Sequence, residues 1–309
     1  MATLAPKLPY THPFAGGYPY RGSARLPSDP DALTYLAAVA AADGAPVETA
    51  VAVAVDDFFK GCKADPSGTP GRSNWDAIKA SCILCGARTL AGALVPLAGT
   101  APSNNNFVSG DYNRETGLKG NGSTKYLDTG RAPNEDPQND AHISVYITGQ
   151  NTLSVVRYAG VTDLPVSTSL MLYDDNTFTA GYINSSTLTD VANRTAINFF
   201  GAARSDSANQ TARVDGVSAT TSIASVAPSE LNSYVFCRNL NGTANLFTDA
   251  RFAFYSIGES LDLASLDARV TALVQRIQLS LSTGLDASGY DDATVAYLLA
   301  AYNNGATLA

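Results

Sequence analysis

The chain has 309 residues and a formal net charge of -8, and only 16% of its residues are Asp, Glu, Lys or Arg. Charge this sparse moves surface polarity onto Gly, Ser, Thr and Asn, which favour strands and turns over exposed helices. The acidic balance excludes a general nucleic-acid binder, which needs clustered Lys and Arg, and no apolar run is long enough for a membrane-spanning helix.

From the N-terminus, Met1–Tyr10 has no apolar core of the kind a secretory leader carries, so none is expected. Residues 1–28 read as an extended arm, with five prolines, Lys7, Arg21, Arg25 and no acidic residue. Such a segment is either disordered or a docking arm laid over a neighbouring subunit. In the second case Tyr10, Phe14, Tyr18, Tyr20, Arg21 and Arg25 are its contact residues.

Ser28-Asp29-Pro30 signals a helix start, Leu33, Leu36, Val39 and Ala40 its stripe, and Gly44 its end. A second helix from near Pro46 to Gly61 buries Val47, Val51, Val55 and Phe58 or Phe59, although Val51–Val55 also alternates as a strand would. A third is expected from about Asn74 to Cys85, because Trp75, Ile78, Cys82 and Cys85 repeat at helical spacing. That reading makes Cys82 and Cys85 buried core thiols. A disulfide (Cys82 with Cys85, or Cys62 with Cys237) and a metal site are the alternatives, and zinc lacks further ligands because the only histidines are His12 and His142.

Beyond residue 90 the period becomes that of strands. Ala93–Leu97, Thr124–Leu127, His142–Ile147, Leu153–Arg157, Thr168–Tyr173, Thr177–Tyr182, Ala196–Phe200, Thr211–Val214, Tyr234–Phe236 and Arg251–Tyr255 are short, β-rich and bounded by Gly, Pro, Asn or Asp. Asp215-Gly216 is the clearest hairpin signal. Strands at this spacing without crossover helices make a mainly β, two-sheet sandwich. Leu263, Leu266, Val270, Leu273 and Ile277 then mark a helix with Ser260 or Asp262 as cap and Gly284 as stop, and a last helix covers about Asp291–Tyr302. The resulting division is arm 1–28, helical region 29–89, sandwich 90–257 and C-terminal helices 258–309.

The glycine-rich stretch "GLKGNGSTKYL" (117–127) is not a phosphate cradle. A Walker-type loop puts Lys right after its last glycine and a helix after that; here Lys125 comes two places late and Tyr126-Leu127 is strand-like. The glycines instead serve a tight turn with φ > 0 that introduces a strand. "LKGNGSTKYLDTG" resembles the start of laminin-G-like, concanavalin A-like jelly rolls. "HISVYIT" resembles their following strand, "TARVDGVSA" the Asp-Gly-Val hairpin, and "ARFAFYSIGESLDLASLDARVTAL" the closing strand and helix. The wider segment 75–130 resembles virion structural proteins of tailed bacteriophages and prophages, in which such a segment precedes the jelly roll.

This resemblance, over roughly 30–275, implies a jelly-roll sandwich with an N-terminal helical layer and C-terminal helices. It further implies a virion structural protein, expected on the capsid surface as a decoration protein docked through its arm and helices. Its partners would be the major capsid protein or tail proteins, and it would form a homo-oligomer. The alternative is a tail-associated module binding a receptor or host-surface glycan, with Tyr173 and Tyr182 as stacking candidates. Family members hold calcium on rim loops, where Asp174, Asp175 and Asn176 are the weak matching candidates; these also read as a solvated hairpin tip. No cofactor is expected. Enzyme chemistry is not expected either, since no G-x-S-x-G elbow and no E-x-D-x-x-E pair of facing carboxylates occurs.

Overall fold

The computed structural model describes residues 25–163, 167–174, 179–191, 197–285 and 289–305. Helix α1 (Pro30–Asp43) begins where the Asp29 carboxylate accepts from the Asp31 and Ala32 N–H groups, and ends at Gly44 with φ 67°. Helix α2 (Thr49–Ala64) takes in the Val51–Val55 run and passes the expected stop at Gly61. Gly61 acts there by its size: an added Cβ would lie 2.5 Å from Nε of Arg269.

The third expected helix is corrected. α3 (Asn74–Ala77) is one turn capped by Ser73, after which the chain becomes strand β1 (Ile78–Ile83). The run Ile78-Lys-Ala-Ser-Cys-Ile-Leu-Cys85 is buried on both faces apart from the half-buried Lys79, and a doubly buried strand imitates a helical stripe. The 29–89 region is therefore helical only as far as Ala77 and then enters the sandwich. Ala93–Leu97 is likewise not a strand. Thr89 caps a short helix, α4 (Leu90–Ala93), and a loop follows in which the Leu97 N–H donates to the Ser81 carbonyl.

The remaining strands, in chain order, begin with β2 (Ser103–Asn105), β3 (Tyr112–Asn113), β4 (Gly117–Lys119) and β5 (Tyr126–Asp128). Next come β6 (Ala141–Gly149), β7 (Val156–Asp163), β8 (Ser167–Asp174), β9 (Thr179–Ser185) and β10 (Thr189–Asp190). β11 (Phe199–Arg204), β12 (Asn209–Val214), β13 (Val217–Ser222) and β14 (Tyr234–Val235) follow. β15 (Arg238–Leu240), β16 (Thr243–Asn245) and β17 (Arg251–Gly258) complete the set.

Sheet 1 runs β13-β12-β11-β6-β17-β4-β3, with β1 also paired to β17; sheet 2 runs β10-β9-β8-β7-β14-β5-β2, with β15 and β16 attached. Pairing is antiparallel except for β15 beside β7. The late strand β17 lies between β4 and β6, and β14 between β5 and β7, so the C-terminal part threads between early strands in both layers. Two sheets wrapped in this way form a jelly-roll sandwich.

Ile143, Val145, Phe200, Phe252 and Tyr255 of sheet 1 meet Tyr158, Leu172, Ile183 and Val235 of sheet 2 in the inner core. A second core lies on the other face of sheet 1, where Tyr146, Phe199 and Phe254 pack under α1, α2 and helix α5 (Leu263–Thr283). The molecule is thus three layers (helices, sheet 1, sheet 2), and β6 and β11 are buried on both faces. α5 is capped by Asp262 and stops at Gly284 as its pattern predicts; α6 (Asp292–Asn303) packs Val295 and Leu299 on its C-terminal end. All four cysteines are free and buried. Burial pushes the Cys82 and Cys85 thiols up to about 12, so they are inert packing groups.

The glycine-rich stretch builds the turn from β4 to β5. Gly117 has φ 96°, and a Cβ there would lie 2.0 Å from the Phe252 carbonyl oxygen, so the position needs glycine twice over. The Asn121 side-chain oxygen accepts from the N–H groups of Ser123, Thr124 and Lys125, and Lys125 itself pairs with Asp111.

Candidate functional site

The described residues offer three places where chemistry or recognition could reside. The first is a polar chain around His142. Residues 142, 144 and 146 of β6 point toward the helices, and Ser256 of β17 lies directly opposite Ser144. His142 Nδ1 is 2.6 Å from the Glu259 carbonyl oxygen, which can only accept, so this nitrogen carries the proton. Nε2 then accepts from Ser256 Oγ at 2.9 Å, and Ser144 donates to Ser256 Oγ at 2.8 Å.

Burial drives the His142 pKa down to about 4, the bond to Glu259 opposing, so the ring is neutral at pH 7. A serine hydrogen-bonded to a neutral histidine has the composition of an acyl-transfer pair. All three side chains are fully buried, however, and no substrate can reach them. Arg72 closes this region from the 65–73 loop, donating to both Asp140 oxygens, to Glu259 and to the Ser260 carbonyl. The Asp140 carboxyl is held below its ordinary range: burial opposes, but Arg72 and Ser260 prevail. The arrangement ties the helical layer to the sandwich.

The second place is the root of the arm. Asp56 is fully buried on α2 and accepts from the N–H groups of Ser28 (2.8 Å) and Asp29 (2.7 Å) and from Lys60 (2.6 Å). Burial alone would raise this carboxyl; the bonds from Lys60, Asp29 and Ser28 outweigh it and hold it low. Arg25 pairs with Asp56 and with Asp57. Of the expected arm contacts, Tyr10, Phe14, Tyr18, Tyr20 and Arg21 lie outside the described residues, so Arg25 alone can be placed. A nearby groove of about 760 Å³ between α1 and the 65–73 loop is lined by Lys63, Asp65 and Arg72. Their charges are already engaged with Asp29, Arg269 and Asp140.

The third place is the outer face of sheet 2. Leu127 and Val235 point into the core, so their neighbours Tyr126 and Tyr234 point out, 4.7 Å apart between ring centroids. Phe247 stands edge-on to Tyr126 at 6.2 Å, and all three rings are half-buried. Tyr173 and Tyr182, the two aromatics singled out in the sequence, share this outer face; Arg157 covers the Tyr173 ring at 3.7 Å. Sequence reading missed the Tyr126–Tyr234–Phe247 group because its members come from three separated segments.

Of the calcium candidates, Asp175 and Asn176 lie outside the described residues. Asp174 accepts from the buried Tyr158 hydroxyl at 2.9 Å, which turns it toward the inner face of the sandwich. Among the described residues no group of three or more His, Cys, Asp or Glu could hold a metal ion, and no helix is long and apolar enough to cross a membrane.

No family model matches the chain, and no curated protein matches it. Solved structures do match in part. The NanB sialidase of Streptococcus pneumoniae is 10% identical with a TM-score of 0.38, over 48% of this chain and 26% of its own. The LG4-5 domains of the mouse laminin alpha1 chain are 15% identical with a TM-score of 0.36, over 55% and 47%. The binding domain of botulinum neurotoxin serotype D is 9% identical with a TM-score of 0.42, over 63% and 51%. The chain therefore spans about a quarter of the sialidase's length and about half of the other two. Likeness at this level carries nothing about what the chain binds or does.

Proposed function

We propose that the chain is a structural component of a bacteriophage particle, a capsid surface protein that docks through its N-terminal arm and helical layer onto the major capsid protein. The observation that carries this reading is the virion-like sequence pattern over 75–130. Its placement supports the reading, because the segment joins the two layers that such a protein needs. Trp75 packs on Phe59 of α2 at 4.5 Å, β1 enters sheet 1, and Tyr112 and Arg114 both donate to the Ala87 carbonyl. Arg25, at the root of the expected arm, is held on this helical layer by Asp56 and Asp57, while the second sheet lies on the far side of sheet 1. A sandwich with one face given to helices and, among the described residues, no helix on the other suits attachment on one side and exposure on the other. Mass spectrometry of purified particles should find the chain at a fixed ratio to the capsid protein, with gold-labelled antibody on the shell. Particles without it refute the reading.

A second reading, a tail-associated glycan- or receptor-binding module, is favoured by one observation, the half-buried group Tyr126, Tyr234 and Phe247 on the outer face of sheet 2. Aromatic faces stack on sugar rings, and a glycan array would give a signal that Tyr126→Ala and Tyr234→Ala remove. An empty array eliminates this reading, and labelling at the tail tip rather than the shell selects it over the first.

A further inference from the structure

Strand β13 ends sheet 1, and among the described residues no strand pairs with its outer edge. Of the other edge strands, β3 and β10 have two residues each and β2 and β16 three, and β1, with six, has its far side bridged at Ser81 to Leu97 and Ala98, whereas β13 has six in unbroken register with β12. The Ile223 N–H donates to the Ala208 carbonyl, which puts the odd-numbered backbone groups of this strand toward β12. The N–H and C=O groups of Ser218, Thr220 and Ser222 therefore point outward. Natural proteins protect such an edge with charge, proline or a bulge. Val217-Ser-Ala-Thr-Thr-Ser222 has none of these, in a chain of formal net charge -8.

The edge is also its own complement. Around Thr220 the sequence is close to mirror-symmetric: Ser218 mirrors Ser222 and Val217 mirrors Ile223, and only the uncharged Ala219 and Thr221 are an unlike pair. If the strand pairs antiparallel with a second copy about Thr220, every outward-pointing residue meets an outward-pointing residue. Three hydrogen-bonded pairs result, each exchanging two backbone bonds. Val217, which is 44% exposed, comes to lie opposite Ile223 of the second copy, giving an apolar pair at each end. The absence of charge along the strand lets two acidic chains approach here without like charges meeting.

We infer that β13 is a homodimerisation edge, through which two copies join about Thr220 into one continuous sheet. The inference is independent of the particle reading, since it rests on the edge alone. The full chain should sediment and scatter light as a dimer. Thr220→Pro deletes an outward N–H while leaving the ladder to β12 intact, and Thr220→Lys sets two like charges opposite each other at the axis; both should halve the mass with the far-ultraviolet spectrum unchanged. Thr220→Cys adds an accessible thiol to a chain whose own cysteines are all buried. Opposed hydrogen-bonded residues lie about 5.5 Å apart between Cα atoms with their Cβ atoms at a similar distance, too far for an unstrained disulfide but within reach of a short bifunctional thiol cross-linker. Thr220→Cys treated with such a reagent should therefore run as a covalent dimer, and Ser218→Cys, which faces Ser222, should not. A monomeric wild-type chain, a dimer indifferent to both Pro and Lys, or equal cross-linking from 218 and 220 would each overturn the inference.

Discussion

Acidification should destabilise this protein in a window that its carboxylates do not explain, and His142 is the cause. The unfolded chain binds a proton on this ring near its ordinary pKa of 6.5, and the folded chain only near 4, because protonation would place a charge in a sealed site whose Nδ1 already donates to Glu259. The contribution to stability is fully present above 6.5 and is lost progressively as the pH falls toward 4. The gap between the two values is worth roughly 3 kcal/mol, at about 1.36 kcal/mol for each tenfold change in proton affinity. Asp56 and Asp140 have lowered folded pKa values, so their share persists above the ordinary carboxylate range and disappears only below it. Asp136, raised by burial against its bond to Arg131, acts in the opposite sense at the lower end of the window. The informative quantity is therefore the difference between wild type and His142→Asn, which retains a donor for Glu259 and cannot titrate. Urea unfolding from pH 7 to 4.5 should show the wild-type midpoint falling steeply and the variant, weaker at pH 7, changing far less. Parallel losses in the two proteins would refute the reasoning.

Two other substitutions test the frame around the candidate sites. Asp56→Ala leaves the buried Asp29 N–H without its acceptor and frees the Ser28 N–H, Lys60 and Arg25 to solvent; a loss of about 1–3 kcal/mol is expected, with earlier tryptic cleavage at Arg25, and unchanged proteolysis would contradict the clasp. Gly117→Ala forces a side chain into positive φ and onto the Phe252 carbonyl; strain of that kind costs on the order of 1–3 kcal/mol before the steric clash is added, so thermal unfolding should shift down strongly, whereas Gly68→Ala, also at positive φ but with open space around it, should cost less.

Where sequence reading succeeded, the cause was local. The caps at Asp29 and Asp262, the stops at Gly44 and Gly284 and the Asp215-Gly216 hairpin each involve groups a few residues apart, so spacing alone reports them. It failed where a partner distant in the chain decided the outcome. Ile78–Ile83 has helical spacing, yet it is a strand because β17, some 175 residues on, pairs along it while helices cover one face and the inner core the other. Gly61 is a helix stop by composition, yet α2 continues through it to Ala64, and the glycine is instead the residue that leaves room for the Arg269 side chain of α5. The Ser144–Ser256–His142 chain and the Tyr126–Tyr234–Phe247 face are equally invisible in one dimension, since each is assembled across strands by pairing and packing. The sequence by itself determined a mainly β chain with leading helices and closing helices, through periodicity and turn chemistry. Tertiary structure alone decided which apolar segments are buried on two faces, which polar groups are sealed and which long edge has no paired strand among the described residues, because burial depends on what the rest of the chain lays over each surface.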